Sequence, residues 1–420
     1  TVFWLILATL GSAAEWLLRA NPLACFWLLV AVAAPLQSAV SALLAALALL
    51  FAWIASMERR PCALPRYEGP LDVLLGRTRR ANTVTHGMPA NNNVSIATFG
   101  DAVVVAYRKA ETHFASPSAQ ILVATSTSGN LDDWTVVWTH TTGTDDLREV
   151  LLWEFQGRLC LYFACLEPHK RGFAPRGMHL VSTKDLKVWS EPVAMGRATE
   201  ITWDLKVREE ASGPVAYKVG YMGNHYDADA HLTVVFEKST DGETWAPVGK
   251  DLGVYRGGIS EVSFAFTPGG DLVAIGRNED GDHTGFGTQL FFAPRDDLGS
   301  WTALKVSVPY RFDSPRMVLM EGEIVLFARY APEPYNFAPA WLPMEVQKLV
   351  NLVAYSVRPK GSAVYRVVPP GSGGKWSERP VELIRFLEES HGDTGFFSLA
   401  RMPGSSGEWV VANYSSTCHS

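Results

Sequence analysis

Charge is scarce in this chain. Only 19% of its 420 residues are Asp, Glu, Lys or Arg, and the formal net charge is −6. Without a basic surplus there is no reason to expect a nucleic-acid partner. Cysteine is scarce as well: five residues, an odd set, with no metal-ligand spacing. Cys160 and Cys165 lie five apart on one predicted strand, so they point to opposite faces and cannot pair with each other. Cys62 and Cys418 can meet only if the two ends of the domain meet, and free thiols are expected. The acidic run "NEDGDHTG" (Asn278–Gly285) lacks EF-hand spacing, so no metal is expected, and no motif calls for a cofactor. His113, His283 and His391 fall in polar turns and read as solvated.

The shortage of charge is local. Residues 1–57 carry only Glu15 and Arg19. "SAVSALLAALALLFAWIASM" (Ser38–Met57) is twenty residues without a charge, enough to cross about 30 Å of hydrocarbon. Trp53 suits an interface and "ERRPC" follows as a charged stop. A second span is expected from residues 2–33, where Glu15 and Arg19, at i and i+4, neutralise each other on one helical face. The expected organisation is a helical transmembrane region over 1–57, a linker over 58–69 and one soluble domain over 70–420.

The soluble part repeats. Tryptophans that follow a polar turn stand at Trp134, Trp189, Trp245, Trp301 and Trp376, the first four about fifty-five residues apart. Their contexts agree: "STSGNLDDW", "STKDLKVW", "STDGETW", "PRDDLGSW" and "GSGGKW". Before each turn run two apolar stretches joined by a Gly-containing turn, as in "EVSFAFTPGGDLVAIGR", and six such hairpins can be counted. Six units of four short strands predict an all-β, six-bladed β-propeller, with a strand near "EGPLDVLLG" (Glu68–Gly76) closing the last blade. An insertion in the fifth unit, "YAPEPYNFAPAWLPMEVQKLVNLVAYSV", puts Trp341 and Leu342 in a Pro-rich loop. It is read either as packing on the domain's own side or as a foot on a membrane or partner.

Ser239, Asp241, Gly242 and Trp245 of "STDGETW" match the Asp-box, allowing one residue of spacing difference, and the other turns are degenerate copies. With the six-unit register, residues 70–420 resemble the sialidase superfamily. That resemblance implies a carboxylate clamp of three arginines, a Tyr nucleophile activated by Glu, and an Asp acid. "SEVSFAFTPGGDLVAIGR" then places Glu261 as the activating carboxylate and Arg277 in the clamp, and "SPRMVLMEGEIVLFARY" offers Arg329, or Arg316, as a second arginine. The family's first arginine motif is missing, with Arg108 one strand later as a partial substitute. No carboxylate stands where the acid belongs. Phe396 occupies the nucleophile's place, and Tyr414 lies on the following strand.

Phenylalanine cannot attack a sugar. The expectation is a catalytically silent, membrane-anchored propeller serving as an accessory or scaffold subunit among other integral membrane subunits. Photosynthetic or respiratory complexes are candidate hosts. A small-molecule substrate is not required by this reading. The alternatives are a membrane-bound sialidase-like hydrolase or a propeller that binds a glycan or carboxylate without chemistry. The expected setting is a bacterial inner membrane with the propeller on its outer side, although the arginines after the last span argue for the cytoplasmic side.

Overall fold

The computed structural model describes residues 90–415, apart from 128–130, 170–171, 224–231, 306, 309, 332–337, 358–359, 372–373, 391–393 and 406. It also describes residue 88 and four residues within 45–49. The chain divides into two compact units, one of Leu64–Ala331 with Lys360–Ser420, the other of Thr1–Ala63 with Pro332–Pro359.

The first unit is a β-propeller. Blade 1 is β1 (Ala90–Phe99), β2 (Ala102–Ala110), β3 (Gln120–Ser126) and β4 (Thr135–His140). Blade 2 is β5 (Asp146–Phe155), β6 (Arg158–His169), β7 (Gly172–Thr183) and β8 (Val193–Met195). Blade 3 is β9 (Glu200–Glu210), β10 (Gly213–Met222), β11 (Leu232–Ser239) and β12 (Ala246–Pro247), with β13 (Gly253–Gly257) also paired to β11. Blade 4 is β14 (Ile259–Phe266), β15 (Leu272–Asp282), β16 (Gly285–Ala293) and β17 (Thr302–Ala303). Blade 5 is β18 (Arg311–Met320), β19 (Glu323–Ala331), β20 (Lys360–Val367) and β21 (Val381–Ser390). A two-stranded sheet, β22 (Thr394–Arg401) and β23 (Trp409–Ser415), follows.

The blade count is therefore five, not the expected six. Counting hairpins counts pairs of inner strands, whereas a blade needs four strands. The sixth hairpin has only its inner pair among the described residues, and the Glu68–Gly76 segment expected to complete it lies outside them.

Each blade buries both faces against its neighbours, so second strands such as "AVVVAYRKA" are apolar almost throughout instead of alternating. The tryptophan turns plug the seams. Trp189 packs on the core shared by blades 1 and 2, Trp245 on that of blades 2 and 3, and Trp301 on that of blades 3 and 4. Trp134 packs on the core that joins blade 1 to the last hairpin. Asp241 Oδ1 accepts the N–H groups of Glu243 and Thr244 at 2.8 and 2.7 Å, and Ser239 Oγ accepts that of Gly242 at 2.8 Å. Those backbone donors hold the Asp241 carboxyl well below the usual range. Gly242 has φ +80°, and a Cβ there would come within 2.9 Å of Trp153, so this turn admits only glycine. In blade 2, Leu186 takes an equivalent left-handed turn at φ +62°, between Asp185 and Trp189.

Cys160 and Cys165 are buried free thiols in two different seams, as expected from their spacing. Among the described residues no helix is long and apolar enough to cross a membrane. The expected spans, with Glu15 and Arg19, lie outside the described residues, as do Cys62 and Cys418.

The second unit contributes one described helix, α1 (Met344–Val357), within the fifth-unit insertion. Trp341 and Leu342 lie in a turn before it, as expected, while the helix that follows was not foreseen. Pro343 opens the helix, its carbonyl accepting the N–H groups of Val346 and Gln347 at 3.0 Å each.

Candidate functional site

All six inner strands break register at one level. The ladder skips between Asn92 and Ser95, Arg148 and Leu151, Ser260 and Val262, Asp313 and Arg316, and Gly395 and Ser398. In β9 the skip falls at Trp203, beside the Val219–Gly220 step of its partner. A bulge re-aims one side chain, and here it does so around a ring. The bulged residues are Asn93, Glu149, Trp203, Glu261, Ser314 and Phe396. Five of them have left-handed backbones, with φ of 50°, 53°, 25°, 47° and 58° for Asn93, Glu149, Glu261, Ser314 and Phe396. For non-glycine residues this conformation is costly, and such strain gathers at functional sites.

The bulged residues meet one another. Asn93 Nδ2 donates to Glu149 Oε2 at 3.0 Å, and the Ser314 N–H donates to Glu261 Oε2 at 2.7 Å. Trp203 reaches from blade 3 to the Phe396 ring of the last hairpin, centroids 5.2 Å apart, and donates its indole N–H to Pro315 O at 3.3 Å. Blade 3 and the hairpin stand opposite each other in ring order, so this aromatic pair bridges the axis.

On the side of the pair where the inner strands begin lies a polar mouth. Its chemistry centres on two carboxyls. Glu149 is pushed up to about 7, first by burial and then by the charge of Glu261, against the opposing pull of Arg148 and Asn93. Glu261 instead accepts from Arg277 Nη1 at 2.6 Å as well as from Ser314. One carboxyl thus keeps its proton near neutral pH, while the other accepts a guanidinium and a backbone N–H. A carboxyl that holds its proton to about 7 beside a second carboxyl is suited to acid–base work.

The residues singled out from the sequence fall around this mouth. Arg277 joins Glu261, and also pairs with Glu279 and with Asp313 at 3.2 Å. Arg329 donates to Thr394 O and, at 3.1 Å, to Tyr414 Oη, and Gly395 lies so close that a Cβ would touch its guanidinium at 3.2 Å. Arg108 is fully buried, bound to Asp146 at 2.6 Å and to the carbonyls of Thr112 and Phe114. Burial and Arg148 lower its pKa, and Asp146 opposes them. Phe396 lies between Trp203 and Tyr414, the latter 5.9 Å away between centroids. Each of the three arginines is thus occupied by groups of the protein itself. Arg316, the other candidate, lies beyond the aromatic pair, bound to Asp204 and to Phe397 O.

Sequence reasoning missed Glu149. The signal was present: "REVLLW" repeats the phase of "SEVSFA", so Glu149-Val150 is the counterpart of Glu261-Val262 two blades earlier.

Beyond the aromatic pair the axis opens into a cavity of about 390 Å³, lined among others by Ser95, Leu152, Asp204, Lys206, Arg316 and Ser398. Asp204 binds Lys206 at 2.9 Å and also Arg316. Burial alone would raise the Asp204 pKa, but Arg316 and Lys206 outweigh it and hold the carboxylate ionised. Among the described residues no cluster of His, Cys, Asp and Glu could hold a metal.

No protein-family model matches the chain, and no curated protein matches it. Solved structures do. A protein of unknown function from Dyadobacter fermentans DSM 18053 is similar with a TM-score of 0.53 and 14% identity, over 77% of this chain and 90% of that one. Trypanosoma rangeli sialidase in complex with the inhibitor DANA gives 0.47 and 10% identity, over 77% of this chain and 52% of that one. The chain spans about half the length of that sialidase. An α-L-arabinofuranosidase from Lactobacillus brevis gives 0.41 and 11%, over 68% and 92%. The likeness is one of propeller fold.

Proposed function

We propose that this chain is a membrane-anchored propeller whose axial mouth works on a glycan by acid–base chemistry, with Glu149 as proton donor and Glu261 as the facing carboxylate. The observation that carries the reading is the Glu149 carboxyl, held up to about 7 on a strained bulge that has its counterpart at Glu261. A protonated carboxyl assists departure of a sugar's leaving oxygen, and a second carboxylate stabilises the positive charge that develops on the ring or activates water. Anchoring rests on the charge-free run Ser38–Met57, with the propeller on the outer side of the membrane. Sialic acid is not the favoured substrate, because Phe396 brings no hydroxyl and the three arginines are already engaged.

The test is turnover of a panel of neutral 4-nitrophenyl glycosides and natural oligosaccharides by the full chain in detergent. The reading expects release on at least one, reduced at least about a hundredfold by Glu261→Gln. Glu149→Gln should weaken oligosaccharide cleavage more than nitrophenol release, since nitrophenol needs little protonation to leave.

A catalytically silent accessory subunit of a larger membrane complex is the second reading, favoured by Phe396 standing where the sequence resemblance calls for a nucleophile. It expects no release from any substrate and co-purification of other membrane subunits.

A further inference from the structure

Helix α1 is amphipathic the wrong way round for water. Its buried stripe is Gln347, Asn351 and Ala354, of which Asn351 is 1% exposed. Positions 347, 351 and 354 share one side at helical spacing. The opposite side carries Glu345, Leu349 and Leu352, with Leu349 57% exposed, and Val346 is exposed on its flank. Leu352 and Met344 are also exposed, and Trp341, just before the helix, is 81% exposed. A helix in water turns its apolar stripe inward, and here the polar amides are inside. Gln347 is satisfied there, donating to Leu342 O at 2.7 Å. An exposed Trp at the entrance and a leucine-bearing outer face fit an apolar medium beside an aqueous one.

We propose that the outer face of α1, with Trp341, rests in the lipid at a bilayer surface. This rests on the reading that residues 1–57 are membrane-bound, and it adds a second contact from the fifth blade's insertion. The occupant is lipid and not another protein because the helix belongs to the same compact unit as Thr1–Ala63, which contains the charge-free run. With one acidic and one basic residue, Glu345 and Lys348, α1 has no net charge to attract anionic headgroups. The contact is therefore apolar, insensitive to salt and indifferent to lipid charge.

The experiment places a bimane label at Leu349→Cys in the full chain, with Cys25, Cys62 and Cys418 replaced by serine. Cys160 and Cys165 stay, because burial pushes their thiols up to about 11 and about 12. The chain is reconstituted in phosphatidylcholine nanodiscs. Doxyl-lipid should quench the Leu349 label at least threefold more than iodide does, with the order reversed for a label at Lys187→Cys on the propeller. Replacing a quarter of the lipid by phosphatidylglycerol, or adding 0.5 M salt, should leave the ratio unchanged. A Leu349 label reached by iodide, or shielded from both quenchers as beneath a partner protein, overturns the proposal. If the chain stays in solution and enters no nanodisc, the anchor reading fails by itself. The label is then read with phosphatidylcholine vesicles added, where no blue shift overturns the lipid contact as well.

Discussion

At the scale of the residue, Glu149 decides most. Its carboxyl moves from an ordinary 4.5 to about 7 on folding, so the folded chain holds this proton more tightly than the unfolded one. Stability from this group is fully present below pH 4.5 and is lost as the pH rises through about 7. Allowing for its partial exposure, the loss is on the order of 2 kcal/mol. Glu149→Gln keeps a neutral acceptor for Asn93 and removes the ionisation. Urea melts of wild type and variant should agree near pH 5 and diverge by pH 8, with the variant the more stable. Equal slopes against pH would show that the carboxyl is not held protonated. Glu261 and Arg277 were legible as a pair because both fall in one hairpin whose residues carry the family likeness. Glu149 was not, because its place depends on a bulge in the strand, and a bulge leaves no local composition to read.

At the scale of the element, the tryptophan turn is the most legible feature, since it is local: Ser, Asp, Gly and Trp fall within seven residues, and Ser239 and Asp241 accept the turn's own backbone N–H groups. Trp245 also donates its indole N–H to Tyr162 Oη at 2.7 Å, tying blade 3 to blade 2. Trp245→Ala should cost about 3 kcal/mol by opening that seam. Trp245→Phe should cost about 1 kcal/mol, chiefly the hydrogen bond. Equal melting of all three proteins would remove the turn's tryptophan from the account of the fold. The helix α1 was not legible as a helix. Prolines dominate the stretch before it, and its outward leucine and valine obey no rule for a water-facing surface.

At the scale of the whole molecule, inner strands are fastened to one another by side chains that replace a sheet's missing edge. Ser95 Oγ accepts the Leu152 N–H at 2.9 Å, Ser263 Oγ that of Met317 at 2.8 Å, and Ser398 Oγ that of Ile96 at 3.0 Å. The last of these closes the ring, joining the two-stranded hairpin to blade 1. Ser398→Ala leaves a buried N–H without its acceptor and should cost about 1–2 kcal/mol. Hydrogen exchange should quicken first in β1 and β22, and uniform loss of protection would contradict a local closure. The propeller itself was legible from the period, because each repeat must bury its faces on the next. The number of blades was not, because a hairpin announces a pair of strands and is silent on whether two more complete it.

The claim that joins these scales is that the mouth on the axis carries a proton donor tuned to neutral pH. The most direct measurement is the pH dependence of kcat/KM for the full chain on whichever oligosaccharide of the panel it cleaves. With Glu149 as the donor, a limb should fall as the pH rises through about 7, where Glu149 gives up its proton, and this limb should be absent from the residual activity of Glu149→Gln. The same falling limb in Glu149→Gln, or none in the wild type, would place the chemistry elsewhere.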